Sequence, residues 1–152
     1  MNDAARQQLA SDPTLGPLVS EHGPLELEPA ADPFRRLTVS IIRQQVSMDA
    51  ASAIRDRLFE AVTVSPEGIL AADVETLEEA GLSAAKAEYV TEAAQYFRGR
   101  ENGYFESRTD EEVMAELTAV RGIGPWTAKM FLLFGLARED VFPVEDLGIR
   151  KG

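Results

Sequence analysis

The sequence predicts an all-α fold. Two observations predict it: apolar residues recur at helical spacing in most segments, and sustained period-two alternation is nearly absent. The 152 residues suit one domain, or two lobes that share one core, and the 45% hydrophobic content is enough to build it. We therefore expect short helices joined by tight turns.

The N-terminal part predicts two short helices and an extended segment. Helices are expected over 3–10 and 13–22, the second begun by Asp12 and Pro13. The stretch GPLELEP (23–29) alternates weakly, which leaves a short strand and an extended linker both open.

The remaining helices are predicted from their end signals. Capping residues and prolines start helices near Pro33, Ser47, Ser65, Asp73, Ser83, Thr109 and Pro125. Thr109 and Glu112 have the spacing of a capping box, and Gly81 is placed to end a helix in left-handed conformation. A break is expected near Val46 and Ser47.

Composition excludes several chemistries. The sequence has no cysteine and one histidine, His22, which excludes disulfides, a thiol nucleophile, iron–sulfur clusters and histidine-rich metal sites in these residues. No segment approaches the roughly 20 apolar residues of a membrane span, and the N-terminus does not resemble a signal peptide. We expect a cytoplasmic protein with no membrane partner.

The net charge of −11 argues against a nucleic-acid partner, because phosphate binding rests largely on Lys and Arg. Net charge, however, reports on solubility more than on the chemistry of one site. An acidic surface also suits a prokaryote with a high-salt cytoplasm, and such a surface can coexist with a local DNA-binding face.

Gly122-Ile123-Gly124 predicts a glycine hairpin between two helices. Glycine permits positive φ and a close approach of the backbone, and Pro125 suits the first turn of the next helix. The free N–H groups at that helix start can hold a phosphate without basic side chains. The alternative, at about even odds from the spacing, is a plain helix corner in which the glycines serve only as caps.

The ordered motifs resemble the helix–hairpin–helix DNA glycosylase superfamily, and within it the 3-methyladenine DNA glycosylase II branch. The resemblance is carried by VRGIGPWTAKMFLLFG, by DVFPVEDLGIRKG and, upstream, by DPFRRLTVSIIRQQVSMDAASAI. It implies two helical lobes with the active-site cleft between them. It also implies a repair enzyme that flips an alkylated purine out of duplex DNA and hydrolyses its N-glycosidic bond.

The resemblance implies that Asp146 is the catalytic carboxylate. A fixed negative charge beside the sugar stabilises the oxocarbenium-like state that forms as the base leaves. Glu145 competes for the role, but the register of the motif favours Asp146. Without the other motifs, both would be read as a solvated acidic turn.

The resemblance places Trp126 where strand-cutting relatives carry a catalytic lysine, which implies a monofunctional enzyme. Trp126 and Met130 would then form the base pocket, although an aromatic residue stands at the Met130 position in some relatives. A plain core tryptophan is the alternative for Trp126. Lys129, one turn later, keeps a lyase activity open.

The resemblance also implies a DNA-binding surface, with Gln45 as the residue that fills the gap left by the flipped base. Arg121 replaces a proline of many relatives and adds a charge near the phosphates. An Na⁺ or K⁺ ion would be held by the carbonyls of Thr118, Val120 and Ile123; otherwise no cofactor is expected. The implied DNA-binding residues are Gln44, Gln45, Arg121, Gly122, Ile123, Gly124 and Thr127.

The expected organisation is an N-terminal lobe segment over 1–35, a helical barrel lobe over 36–136 with the hairpin motif at about 110–136, and a return segment over 137–152 that carries the acid. Relatives continue with further helices, so the C-terminal helices are expected to be absent here, from a fragment or an unusually short protein. The expected partner is double-stranded DNA with a damaged base, bound by a monomer. A non-catalytic hairpin module or an inactive fragment is the alternative.

Overall fold

The computed structural model describes residues 3–100 and 103–151, and these residues form helices and no strand. The helices are α1 Asp3–Ala10, α2 Gly16–His22, α3 Pro33–Arg43, α4 Met48–Ala61, α5 Pro66–Ala71, α6 Val74–Glu79, α7 Ala84–Phe97, α8 Asp110–Thr118, α9 Pro125–Leu136 and α10 Leu147–Lys151. The predicted all-α class is confirmed.

The N-terminal prediction needs one correction. α2 begins at Gly16 rather than at residue 13, because the Asp12 carboxylate accepts hydrogen bonds from the N–H groups of Thr14 and Leu15 and holds a turn there. Residues 23–29 are not a strand but an irregular linker. The linker is joined to the main body where the Ala30 N–H donates to the Gly135 carbonyl.

Helix ends follow the local signals closely. The capping box of Thr109 and Glu112 is present in both directions, and Ser47 accepts a hydrogen bond from the Ala50 N–H at the start of α4. Gly81 has a φ of +106°, the left-handed conformation that the sequence predicts after α6. Local sequence therefore sets most element boundaries.

The core lies between α3, α7, α8 and α9. The side chains of Phe34, Phe97, Phe105 and Phe131 pack there with ring centroids 5.2 to 5.7 Å apart. α3 and α9 run antiparallel, so the end of α3 lies beside the start of α9. That antiparallel packing brings the Gln44 turn to the glycine hairpin.

A clamp of α7, α8 and the loop between them fixes the first helix of the hairpin. The Glu116 carboxylate accepts hydrogen bonds from the hydroxyls of Tyr96 and Tyr104, at 2.6 and 2.9 Å, and from Arg108 Nε at 2.8 Å. These donors, Tyr96 first, lower the pKa of Glu116 to about 2. The carboxylate is therefore ionised at neutral pH, and its hydrogen bonds fix the position of α8 along α7.

Candidate active site

The hairpin connects α8 to α9 through two glycines with different surroundings. Gly122 has a φ of +87°, and a Cβ added there would lie 2.0 Å from Cγ of Tyr89. Gly124 has a φ of −89°, and no heavy atom lies within 4 Å of the position that its Cβ would occupy. Gly122 is therefore required by the chain's own tyrosine ring, whereas the surface at Gly124 is open; the contacts of both glycines with DNA stay predictions.

The side chain of Ile123, between the glycines, belongs to the core and is 3% exposed. It anchors the hairpin, so any contact with DNA at this position is left to the backbone. The Val120 carbonyl accepts from the Ile123 N–H at 3.1 Å and keeps its second lone pair. Val120 is half-buried and Thr118 is exposed at the end of α8.

Gln44 joins the end of α3 to the hairpin. Its side-chain amide donates to the Gly122 carbonyl and to the Thr127 hydroxyl, both at 2.9 Å. Thr127 is 2% exposed. Its hydroxyl is thus buried against Gln44, and the predicted contact of Thr127 with DNA stays a prediction.

Gln45 is exposed and its φ is +56°, a left-handed conformation that is uncommon for a residue with a Cβ. It lies between the end of α3 and Ser47, the N-cap of α4. The turn therefore separates two neighbouring glutamines: Gln44 is held inward by the hairpin, and Gln45 extends from the surface beside it.

Trp126 and Asp146 are in direct contact. The indole Nε1 donates to one carboxylate oxygen of Asp146 at 2.8 Å. The other oxygen accepts from the N–H groups of Gly148 and Ile149, at 2.8 and 3.3 Å, so Asp146 also caps α10. Both residues are half-buried, which places them at a surface rather than in the core.

The environment of Asp146 favours its charged form. The pKa of this carboxyl is lowered mainly by the Trp126 hydrogen bond, then by backbone N–H groups of α10 and by the positive charge of Arg43. The result is a carboxylate fixed by neutral donors on both oxygens. It keeps its negative charge available to a developing cation.

Glu145 has a different partner. Lys129 Nζ contacts both of its carboxylate oxygens at 3.0 Å, and this hydrogen bond is the main cause of the lowered pKa of Glu145. The two adjacent acids are therefore distinguished by their contacts: a cation neutralises Glu145, while neutral groups hold Asp146. Met130 lies one turn after Trp126 on α9 and is half-buried.

Arg121 forms an ion pair with Glu88 of α7. The side chains remain 66% and 43% exposed, so the guanidinium is accessible although it is not free. Any phosphate would have to compete with the Glu88 carboxylate, a contact that the sequence pattern did not indicate.

A cavity of about 830 Å³ lies elsewhere in the molecule. It occupies the other ends of α3 and α9, where Phe34, Phe97, Phe105, Leu136 and Arg138 contribute to its wall. Trp126, Met130 and Asp146 do not line it. The predicted base-binding residues instead form an open surface beside the hairpin.

Two contacts in this region had no clear sequence signal. Lys86, near the start of α7, donates to the carbonyls of Ile42 and Gln44 at 2.7 Å. Arg43, the last residue of α3, is close enough to Asp146 for its charge to lower the pKa of that carboxyl. Both join segments distant in sequence, so no local pattern could indicate them.

Residues 38–152 match the HhH-GPD superfamily of base excision DNA repair proteins. The chain belongs to this superfamily. It is 37% identical to the DNA-3-methyladenine glycosylase of Saccharomyces cerevisiae, over 99% of this chain and 58% of that protein. The chain thus spans a little over half the length of this curated relative.

Solved structures give the same superfamily fold. The Schizosaccharomyces pombe 3-methyladenine DNA glycosylase in complex with abasic DNA superposes with a TM-score of 0.85 at 30% identity, over 97% of this chain and 77% of that one. A DNA-3-methyladenine glycosidase from Bacillus halodurans gives a TM-score of 0.82 at 32% identity, over 99% and 71% of the two chains. The hairpin fold that the motifs predict is confirmed.

In the described part of the chain, no helix has the length and apolar character needed to cross a membrane.

Proposed function

We propose that this chain carries the catalytic site of a monofunctional DNA glycosylase that removes alkylated, 3-methyladenine-like purines from duplex DNA. The observation that carries the proposal is the contact of the Trp126 indole with the Asp146 carboxylate, which favours the charged form of the acid, within the fold of a base excision repair superfamily. The names of the similar proteins support the same substrate class.

The proposed reaction breaks the bond between C1′ of the sugar and the purine nitrogen, and the electron pair leaves with the base. An alkylated purine is already cationic, so its departure needs little acid assistance. The sugar becomes oxocarbenium-like, and the Asp146 carboxylate stabilises this positive charge. Water then adds to C1′ and releases a proton. We expect the Asp146 carboxylate to orient this water or to accept its proton.

Two features support a monofunctional reaction without strand cleavage: the residue at position 126 and the ion pair of Lys129. Trp126 occupies the position at which strand-cutting relatives carry a lysine, and an indole cannot form a Schiff base. Lys129, the nearest alternative amine on α9, lies 3.0 Å from a Glu145 carboxylate oxygen. It would have to leave this ion pair before it could attack a sugar.

DNA binding is proposed to rest on the exposed backbone at Gly124, the free N–H groups at the start of α9, and Gln45. We propose that the backbone carbonyls of Thr118, Val120 and Ile123 hold a weakly bound Na⁺ or K⁺ ion, since alkali cations take carbonyl oxygens as ligands. Such an ion would add positive charge beside a phosphate. We propose that the protein acts in the cytoplasm, as a monomer on damaged duplex DNA.

The decisive experiment uses Asp146→Asn. Asparagine has the shape of aspartate and one acceptor oxygen, which can still cap α10, so the variant should fold and bind DNA like the wild type. Its NH2 group replaces the oxygen that accepts from the indole. Release of free base from a duplex with one 7-methylguanine or 3-methyladenine should fall by at least about a hundredfold.

Undiminished release by Asp146→Asn would overturn the assignment. Tight binding by the wild type with no release from either lesion or from hypoxanthine would instead indicate a DNA-binding module. Strand cleavage without added alkali would contradict the monofunctional reaction, and its loss in Lys129→Met would identify the responsible amine.

A further inference from the structure

Lys86 holds the turn that presents Gln45. Its ammonium group donates to the carbonyls of Ile42 and Gln44, each at 2.7 Å. These carbonyls belong to the C-terminal end of α3, where the last carbonyls have no partner within the helix and the dipole is negative. The amine is partly buried, and desolvation lowers the pKa of Lys86. A cation at this place is a charged cap for α3.

The same turn is fixed a second time, through the Gln44 side chain. Its amide binds the hairpin at the Gly122 carbonyl and the Thr127 hydroxyl. Gln44 is therefore held by its main chain to α7 and by its side chain to the hairpin. Because the main chain and the side chain of Gln44 are both bound, the backbone of the next residue has few conformations available.

The neighbour is Gln45. Its φ of +56° is unfavourable for any residue that has a Cβ. Such a conformation persists only where surrounding contacts impose it. Lys86 binds the Gln44 carbonyl, and the hairpin and Thr127 bind the Gln44 side chain, so these contacts restrain the peptide that precedes Gln45. They keep Gln45 exposed on the side of the hairpin instead of letting the turn relax.

We propose that Lys86 is a positioning residue for base flipping: by capping α3 it sets the Gln44–Gln45 turn so that Gln45 can enter the gap left by an extruded nucleotide. The proposal rests on the proposed function, because it assumes that Gln45 fills that gap. Lys86 itself touches neither base nor sugar in this role.

The experiment is a double-mutant cycle with a probe that does not require excision. A duplex carries a tetrahydrofuran abasic analogue with 2-aminopurine opposite, and insertion of a side chain into the gap changes the 2-aminopurine fluorescence. Wild type, Lys86→Met, Gln45→Ala and the double variant are compared in stopped-flow mixing. Lys86→Met should slow insertion by about tenfold, consistent with loss of a charged hydrogen bond.

The double variant should behave like Gln45→Ala alone, because Lys86 acts through Gln45. Lys86→Arg should restore most of the insertion rate. In excision assays, Lys86→Met should lower kcat with little change in KM. Full additivity of the two substitutions, or an insertion rate unchanged in Lys86→Met, would overturn the inference.

Arg57→Met is the matched control. Arg57 Nε donates to the Ala80 carbonyl and caps the end of α6, a helix end that carries no predicted DNA contact. Both Met variants should lower Tm, but only Lys86→Met should slow insertion. Equal slowing by Arg57→Met would show that any loss of stability slows insertion, and it would overturn the inference. If Lys86→Met does not fold, Lys86→Gln serves in its place, because its neutral and shorter side chain also removes the charged bonds to the end of α3, and it should likewise slow insertion.

The failure of the proposed function would look different. A wild-type protein that binds the abasic duplex with no fluorescence change that depends on Gln45 would remove the assumed insertion. Insertion that depends on Gln45 but not on Lys86 would remove only the positioning role.

Discussion

At the scale of single residues, hydrogen-bond donors separate two adjacent acids. Asp146 receives an indole N–H and backbone N–H groups, whereas Glu145 receives the ammonium group of Lys129. A carboxylate paired with a cation has less net charge to offer a developing oxocarbenium ion. The structure thus supports the choice of Asp146, which the sequence could make only by motif register.

Trp126→Phe tests the role of the indole donor. Phenylalanine keeps an aromatic ring for base stacking but removes the N–H that lowers the pKa of Asp146. Since a catalytic carboxylate must be ionised, we expect the acid limb of the excision pH profile to move to higher pH. Excision at neutral pH should fall by about tenfold, because the carboxylate loses a charge-assisted bond that orients it.

The measurement is single-turnover release of 7-methylguanine between pH 4 and 8. Affinity for the abasic duplex serves as the control and should change little. An unshifted acid limb would show that the indole does not set the titration of the catalytic group.

At the scale of elements, the hairpin is shaped by α7 as much as by its own sequence. Tyr89 lies against Gly122, Glu88 pairs with Arg121, and Lys86 caps α3, so the first two turns of α7 contact both the hairpin and the Gln44 turn. The clamp at Glu116 fixes α8 on the same helix. α7 is thus the support on which the hairpin and the Gln44 turn are aligned.

The two hairpin glycines should respond oppositely to alanine. Gly122→Ala places a Cβ in the Tyr89 ring at a positive φ, so the free energy of unfolding should fall by about 2–3 kcal/mol. At Gly124 an added Cβ has no heavy atom within 4 Å and the φ is ordinary, so Gly124→Ala should leave the stability nearly unchanged. Its affinity for DNA should fall, because the Cβ would keep a phosphate from the backbone.

Urea denaturation and binding to duplexes of several sequences measure these effects. The loss in Gly124→Ala should be similar for every sequence, because phosphate contacts carry no sequence information. A loss confined to some sequences, or full affinity, would contradict a backbone contact at Gly124.

At the scale of the whole molecule, charge works against DNA binding. Asp and Glu number 26 against 15 Lys and Arg, and two cations near the site, Arg121 and Lys129, are already paired with acids. Binding must then depend on backbone donors and on few exchangeable ion pairs. Few released counterions mean a weak dependence on salt.

We expect the plot of log affinity against log salt concentration to have a slope no steeper than about −3, which corresponds to roughly three neutralised phosphates. Glu88→Gln frees Arg121, so it should raise the affinity and steepen the slope by about one. Glu60→Gln is the control, since it removes an equal charge near the far end of α4. Fluorescence anisotropy with an abasic duplex measures both slopes, and equal slopes for the two variants would contradict a phosphate contact by Arg121.

The sequence by itself determined the helices, their caps and the order of the hairpin, Trp126 and Asp146, because these depend on neighbours a few residues apart. Only the tertiary structure decided which side chains meet: Gln44 with Thr127, Glu88 with Arg121, and Lys86 with the end of α3. It also buried Thr127 against Gln44 and packed Gly122 against Tyr89, two contacts that the sequence did not indicate. Helix packing sets such contacts through the rotation and height of each helix, which no local pattern encodes.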